Sequence, residues 1–157
     1  MYEKQLKGME RLLGVMDRLR AECPWDREQT FESLRNNTIE ETFELTDAIT
    51  EGDMDHIREE LGDLLLHIVF YSKMGDEQGR FDIADVANSL CDKLVYRHPH
   101  VYGNIEADSP GEVIHNWEML KLAEKKKKER KGQSGVLAGV PRTLPAMVKA
   151  YRIGEKA

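Results

Sequence analysis

Apolar residues return every three or four positions through most of this chain, a spacing that admits little except α-helix. Leu6, Met9, Leu12, Leu13, Met16 and Leu19 trace one face of a first helix over about 3–20. Pro24 disfavours helix at the residue before it, so Glu22-Cys23-Pro24-Trp25-Asp26 is read as a break. A second helix is predicted over about 31–50, ending at Gly52, a residue suited to the left-handed position past a helix end. Asp53 or Asp55 caps a third helix, which carries Ile57, Leu61, Leu64, Leu65, Ile68 and Val69 towards Gly75 or Gly79. A fourth starts from Asp82, with Ile83, Val86, Leu90 and Leu94 as its buried stripe. Arg97-His98-Pro99-His100-Val101-Tyr102-Gly103 reads as a loop. Ser109-Pro110-Gly111-Glu112 then opens a helix reaching about 130, with a capping box and a proline at the first helical position. A Gly/Ser/Pro-containing linker over about 132–142 leads to a last helix from about Pro145. No strand-type alternation of useful length appears, nor any internal repeat. The predicted fold class is all-α, a bundle built around the second, third and fourth helices.

The 157 residues suit one compact domain with a real core. No apolar run approaches the roughly 18 residues of a membrane span, so no membrane partner is expected. The start, Met1-Tyr2-Glu3-Lys4-Gln5, lacks the basic and apolar regions of a secretory signal. Cys23 and Cys91 stand alone, outside any Cys-x-x-Cys pattern, and read as reduced thiols of a cytoplasmic protein. A net charge of −6 argues against a stable nucleic-acid partner. The chain stops at Gly154-Glu155-Lys156-Ala157 without a clear helix terminator, which predicts a fragment or the first domain of something longer.

Charge is unevenly placed. Residues 40–63 hold ten acids against one base, Arg58, whereas 121–131 hold Lys121, Lys125, Lys126, Lys127, Lys128, Arg130 and Lys131 against Glu124 and Glu129. Positions three or four apart share a helix face, so Glu41 pairs with Glu44, Glu40 aligns with Glu44 and Asp47, and Glu60 pairs with Asp63. The short connection at Gly52 makes the two helices antiparallel and brings the acidic pairs towards one level. Converging carboxylates repel and are costly to desolvate unless cations bind. Oxygen-only ligands favour Mg²⁺ or Mn²⁺ over zinc, and such ions leave positions open for phosphate oxygens. Acidic helix stripes are ordinarily solvated faces, and spacing alone leaves that reading open. Against it stand the missing i+4 lysines and the setting of Glu60 and Asp63 within Leu61, Leu64, Leu65 and Leu66. A ferritin-like di-iron bundle needs two Glu-x-x-His motifs, and only Glu112-Val113-Ile114-His115 fits.

Glu40-Glu41-Thr42-Phe43-Glu44, followed after 15 residues by Glu60-Leu61-Gly62-Asp63, resembles the signature of the MazG nucleoside triphosphate pyrophosphohydrolases. Cys23-Pro24-Trp25-Asp26 with Gln29-Thr30, Gly79-Arg80-Phe81-Asp82, Lys93 through Tyr102, Asn116-Trp117-Glu118 and Pro141-Arg142-Thr143-Leu144-Pro145-Ala146 are similar too, in the same order. The likeness is to the N-terminal domain of tandem members, which makes 1–131 the catalytic helical domain and 132–157 a linker and the start of a C-terminal helix. It implies an all-α homodimer that cleaves nucleoside triphosphates to monophosphate and pyrophosphate with broad base tolerance. Implied metal ligands are Glu41, Glu44, Glu60 and Asp63, holding Mg²⁺ or Mn²⁺. Glu40 or Glu41 is the expected acceptor of the water's proton. Implied nucleotide contacts are Asn37, Glu40, Arg58, Lys93, Arg97, Trp117 and Lys121, with Trp117 stacking on the base. The alternative is a catalytically weak nucleotide-binding or dimerisation domain that regulates a second domain or a partner.

Smaller features carry plainer expectations. His67, one turn past Asp63, is read as packing in the core or behind the ligands, because hard metals rarely recruit imidazole. Trp25 is read as a core anchor, with a place in the base pocket as its alternative, Gly62 as the site of a close helix approach, and His98 and His100 as parts of a structural loop or phosphate contacts. The lysine run 125–128 is read as a solvated helix end, with a docking surface as its alternative.

Overall fold

The computed structural model describes residues 1–105, 107, 109–129, 140, 141 and 144–154. Among them are eight helices and no strand: α1 (Glu3–Glu22), α2 (Pro24–Glu28), α3 (Arg35–Glu51), α4 (Met54–Glu77), α5 (Ile83–Arg97), α6 (Pro99–Tyr102), α7 (Pro110–Glu129) and α8 (Ala146–Gly154). They fall into two compact units, Met1–Cys91 and Asp92–Ala157.

The first unit is organised by one tight corner. α3 ends on Gly52, whose φ of 73° lies in the left-handed region that costs glycine little. Asp53 follows at once, its carboxylate accepting the backbone N–H groups of Asp55 and His56 at 2.9 and 3.2 Å, and so caps α4. Those two donors hold the Asp53 carboxyl below its usual range. A connection this short returns α4 antiparallel along α3, and the two helices pack together, with α1 lying on α4 and on α2.

The core is small: Met16, Leu34, Val69, Phe70 and Met74, flanked by Leu12, Leu13, Leu65, Leu66, Tyr71 and Ile83. Full burial of each such side chain stabilises by about 1.5–3 kcal/mol. Polar clamps add to so modest a centre. The Arg20 guanidinium donates to both Glu77 carboxylate oxygens, at 2.9 and 2.6 Å, and to the carbonyls of Asp26 and Gln29. It also lies 5.5 Å from the Phe70 ring centre, so one side chain joins α1, α2 and α4. At the end of α4, Gly75 is buried against Phe81, whose ring and carbonyl would come within 2.7 Å of a Cβ there.

The predicted elements appear, with six corrections. The break at Cys23 is real, but helix resumes immediately as α2, because the fixed φ of Pro24 suits a first helical position. Pro99 does the same in the predicted loop, which holds α6. The packed helices of the first unit are α1, α3 and α4 rather than the second, third and fourth of the sequence reading. Ile83 packs on the core, whereas Leu90 and Leu94 are 45% and 43% exposed, so the later half of the predicted α5 stripe is not buried among the described residues. Trp25 is 58% exposed and anchors no core. A Cβ at Gly62 would meet nothing within 4 Å, so no close helix approach explains that glycine here. The predicted linker over 132–142 lies almost entirely outside the described residues, as do the side chains of the lysine run 125–128.

Candidate active site

The α3–α4 corner fixes which side chains can meet across the two helices. Register runs symmetrically about Gly52, so the middle of α3 faces the first half of α4. Glu41 is thereby set against Glu60 and Asp63, and one carboxylate oxygen from each lies within 4.8 Å of the other two. Glu60 is only 6% exposed although its helix position lies among leucines, as the sequence pattern predicted. Its Oε1 is 3.1 Å from Nε2 of His56, one turn earlier, while its buried Oε2 has no hydrogen-bond partner.

Electrostatics of the cluster centre on Glu41. Burial, then the charge of Glu44 and a hydrogen bond to it, then Asp63 and Glu60, push the Glu41 carboxyl above its usual range. A site that strains towards protonation and keeps a buried oxygen unpartnered fits a bound cation, which supplies the missing partner and relieves the repulsion. The donor set is all oxygen, which suits a hard divalent ion. Glu44 is exposed; it bonds to Glu41 but lies outside the group of three converging oxygens.

The profile of the MazG nucleotide pyrophosphohydrolase domain matches residues 29–102, a span holding Glu40 through Asp63. The nucleoside triphosphate pyrophosphohydrolase of Escherichia coli K12 is 44% identical over 154 residues, covering 96% of this chain and 57% of that protein. This chain belongs to the MazG family. A Thermotoga maritima protein named nucleoside triphosphate pyrophosphohydrolase/pyrophosphatase MazG is also 44% identical, over 94% of this chain and 56% of its own length. The Mycobacterium tuberculosis nucleoside triphosphate pyrophosphohydrolase is 39% identical over 92% of this chain and 43% of its own length. The chain thus spans little more than half the length of these two 44%-identical relatives. A solved mazG-related protein from Thermotoga maritima shares the fold, with a TM-score of 0.62 at 24% identity over 72% of this chain and 98% of that one.

Other predicted site residues of this MazG chain are placed as follows. Glu40 and Asn37 are exposed on α3, and Arg58 is exposed on α4, where it pairs with Asp55 at 2.7 Å. In the second unit, the Arg97 guanidinium lies 5.2 Å and the Lys121 ammonium 4.4 Å from the centre of the Trp117 ring. Arg97 also pairs with Glu124, and Lys121 lies 3.3 Å from Glu118. Lys93 is exposed on α5. Ser109 accepts the Glu112 N–H at 3.3 Å and starts α7 as its motif predicts.

Two features of the site were missed by sequence reasoning. His56 is a basic partner for Glu60, so the acids do not wholly lack one; the i, i+4 spacing would have shown it. His67 is buried as expected, at 7% exposure, but it is also hydrogen-bonded to Thr38 of α3. Burial holds its imidazole below the usual value, and the nearby Asp63 opposes that only in part.

Proposed function

We propose that this chain hydrolyses nucleoside triphosphates between the α and β phosphates, releasing nucleoside monophosphate and pyrophosphate. The observation that carries this is the convergence of Glu41, Glu60 and Asp63 on the hairpin that matches the MazG domain. The names of the relatives in Escherichia coli and Mycobacterium tuberculosis support the same reaction. Glu41, Glu44, Glu60 and Asp63 would hold Mg²⁺, or Mn²⁺ in its place. When bound, the metal supplies neutralisation of the triphosphate and polarisation of the attacking water.

The chain's own residues do the rest. Glu40, exposed beside the cluster and not part of it, accepts the proton of the attacking water. Lys93, Arg97 and Lys121 offset charge on the leaving pyrophosphate. Asn37 and Arg58 contact the nucleotide, and Trp117 stacks on the base, a contact that tolerates any base. The protein works in the cytoplasm as a homodimer, a reading supported by Ile39, Phe43, Leu61 and Ile68, which stand 43%, 48%, 53% and 46% exposed on α3 and α4.

Incubation with each ribo- and deoxynucleoside triphosphate and Mg²⁺, with pyrophosphate as the readout, tests the reaction. Pyrophosphate from several bases is expected. None from any nucleotide would sink the proposal, and inorganic phosphate as the primary product would move cleavage to the terminal phosphate. Sedimentation at micromolar concentration should give the dimer mass; a monomer would overturn the assembly.

A further inference from the structure

One helical turn from the carboxylates, three polar side chains meet inside the same α3–α4 seam. Thr38 Oγ1 lies 3.0 Å from the Leu34 carbonyl, 2.9 Å from His67 Nδ1 and 2.6 Å from the Tyr71 hydroxyl. Tyr71 is held from its other side by Phe31, whose ring stacks at 5.6 Å with an interplanar angle of 5°. A threonine hydroxyl has one proton and two acceptor positions. The Leu34 carbonyl can only accept, so that proton points to it. Tyr71 and His67 must therefore both donate, and the Thr38 oxygen is saturated. All three contacts are satisfied together when His67 is the Nδ1–H tautomer, and burial favours its neutral form.

Thr38 precedes Glu41 by three residues on α3, and His67 follows Asp63 by four on α4. Each member of the bond lies on the same helix face as an acid it does not touch. Apart from the pairing of Glu51 with His56 at the corner, these are the side-chain polar links from α3 to α4 among the described residues. α3 itself buries one side chain, Ala48. The acids between the two helices repel one another, and Glu41 registers that repulsion.

We infer that Thr38, His67 and Tyr71 are positioning residues: their three-way hydrogen bond straps α3 to α4 and sets the gap that Glu41, Glu60 and Asp63 span. The inference rests on the proposed metal site, and extends it to residues that bind neither metal nor nucleotide. A loosened strap widens the gap, so the acids grip a cation less well while the contacts to the base are unaffected. Partners that orient ligands without touching the metal typically contribute about 10–100-fold to its affinity.

The test compares Thr38→Val, which keeps the shape and removes the hydroxyl, with Thr38→Ser and Tyr71→Phe, each checked for helicity and cooperative melting. Mn²⁺ titration calorimetry without nucleotide should show binding weakened about tenfold in Thr38→Val and restored to within about threefold in Thr38→Ser. Turnover should fall in kcat with KM for the nucleotide nearly unchanged. Folded Thr38→Val and Tyr71→Phe proteins that both bind Mn²⁺ like the wild type would overturn the strap. A separate readout does not depend on catalysis or metal. The ¹⁵N shifts of His67 should show the Nδ1–H tautomer in the wild type and lose it in Thr38→Val. An Nε2–H tautomer in the wild type would overturn the inference even if pyrophosphate is released, and absence of pyrophosphate beside an Nδ1–H His67 would fault the reaction alone.

Discussion

α4 presents two faces, and they handle charge in opposite ways. Towards α1, acid meets base: Glu77 with Arg20 at 2.6 Å and Lys73 with Asp17 at 2.7 Å. The Glu77 carboxyl is held below its usual range, first by its hydrogen bond to Arg20. Towards α3, acid meets acid, and Glu41 is pushed above its usual range by burial and by Glu44, Asp63 and Glu60. The same helix therefore carries one seam complete in itself and one that calls for a cation from outside. The first seam serves stability, and the proposed chemistry belongs to the second.

The largest expected effect breaks the second seam. Asp63→Asn and Glu44→Gln should each lower turnover by more than about 100-fold, beyond the loss of an outer partner, with far-ultraviolet circular dichroism unchanged. Asp63 is the stricter test, because its oxygen is one of the three that converge and that of Glu44 is not. Unchanged activity in both would refute the ligand assignment.

Arg20→Ala attacks the first seam. It removes charged hydrogen bonds to Glu77 together with the contact to Phe70, and should cost about 2 kcal/mol by denaturant unfolding. A loss below about 0.5 kcal/mol would show that this seam is only a surface pairing. Glu41→Gln should act oppositely when no divalent ion is present. Relief of repulsion should raise the melting temperature by roughly 2–4 °C, about 1 kcal/mol in a chain this long, while activity is lost. A lowered melting temperature would mean that the acids are not in conflict.

Acid should erase both differences, for reasons of opposite sign. Glu77, with its pKa lowered by folding, contributes stability that is full above the ordinary carboxylate range and lost as pH falls through its lowered value. Glu41, with its pKa raised, imposes a penalty that is full above its raised value and gone below the ordinary one. Melting temperatures between about pH 7 and pH 3 should therefore show both variants moving towards the wild type. The Arg20→Ala curve converges only in part, since the carbonyl and ring contacts of Arg20 do not titrate.

What the sequence made legible was local. Gly52, Asp53 and Ser109 act through neighbours within four residues, and each does what its type predicts. The setting of Glu60 among leucines announced its burial for the same reason. Burial of Trp25, Leu90 and Leu94 depends on what another element brings to them, and periodicity cannot name that element. The Thr38–His67–Tyr71 bond was hidden differently. It joins residues 29 and 33 positions apart, and only the register set by the Gly52 corner brings them together. The family was legible through the resemblance of the Glu-Glu-x-x-Glu and Glu-x-x-Asp motifs, whereas acid spacing alone left a solvated stripe open.

The central claim is that the acids between α3 and α4 bind a divalent cation, and Mn²⁺ shows this directly. Electron paramagnetic resonance counts free Mn²⁺ as protein is added, without nucleotide or turnover. The wild type should deplete the free signal saturably, and Asp63→Asn should leave it nearly intact. Equal depletion by both proteins, or none by the folded wild type, would contradict the account.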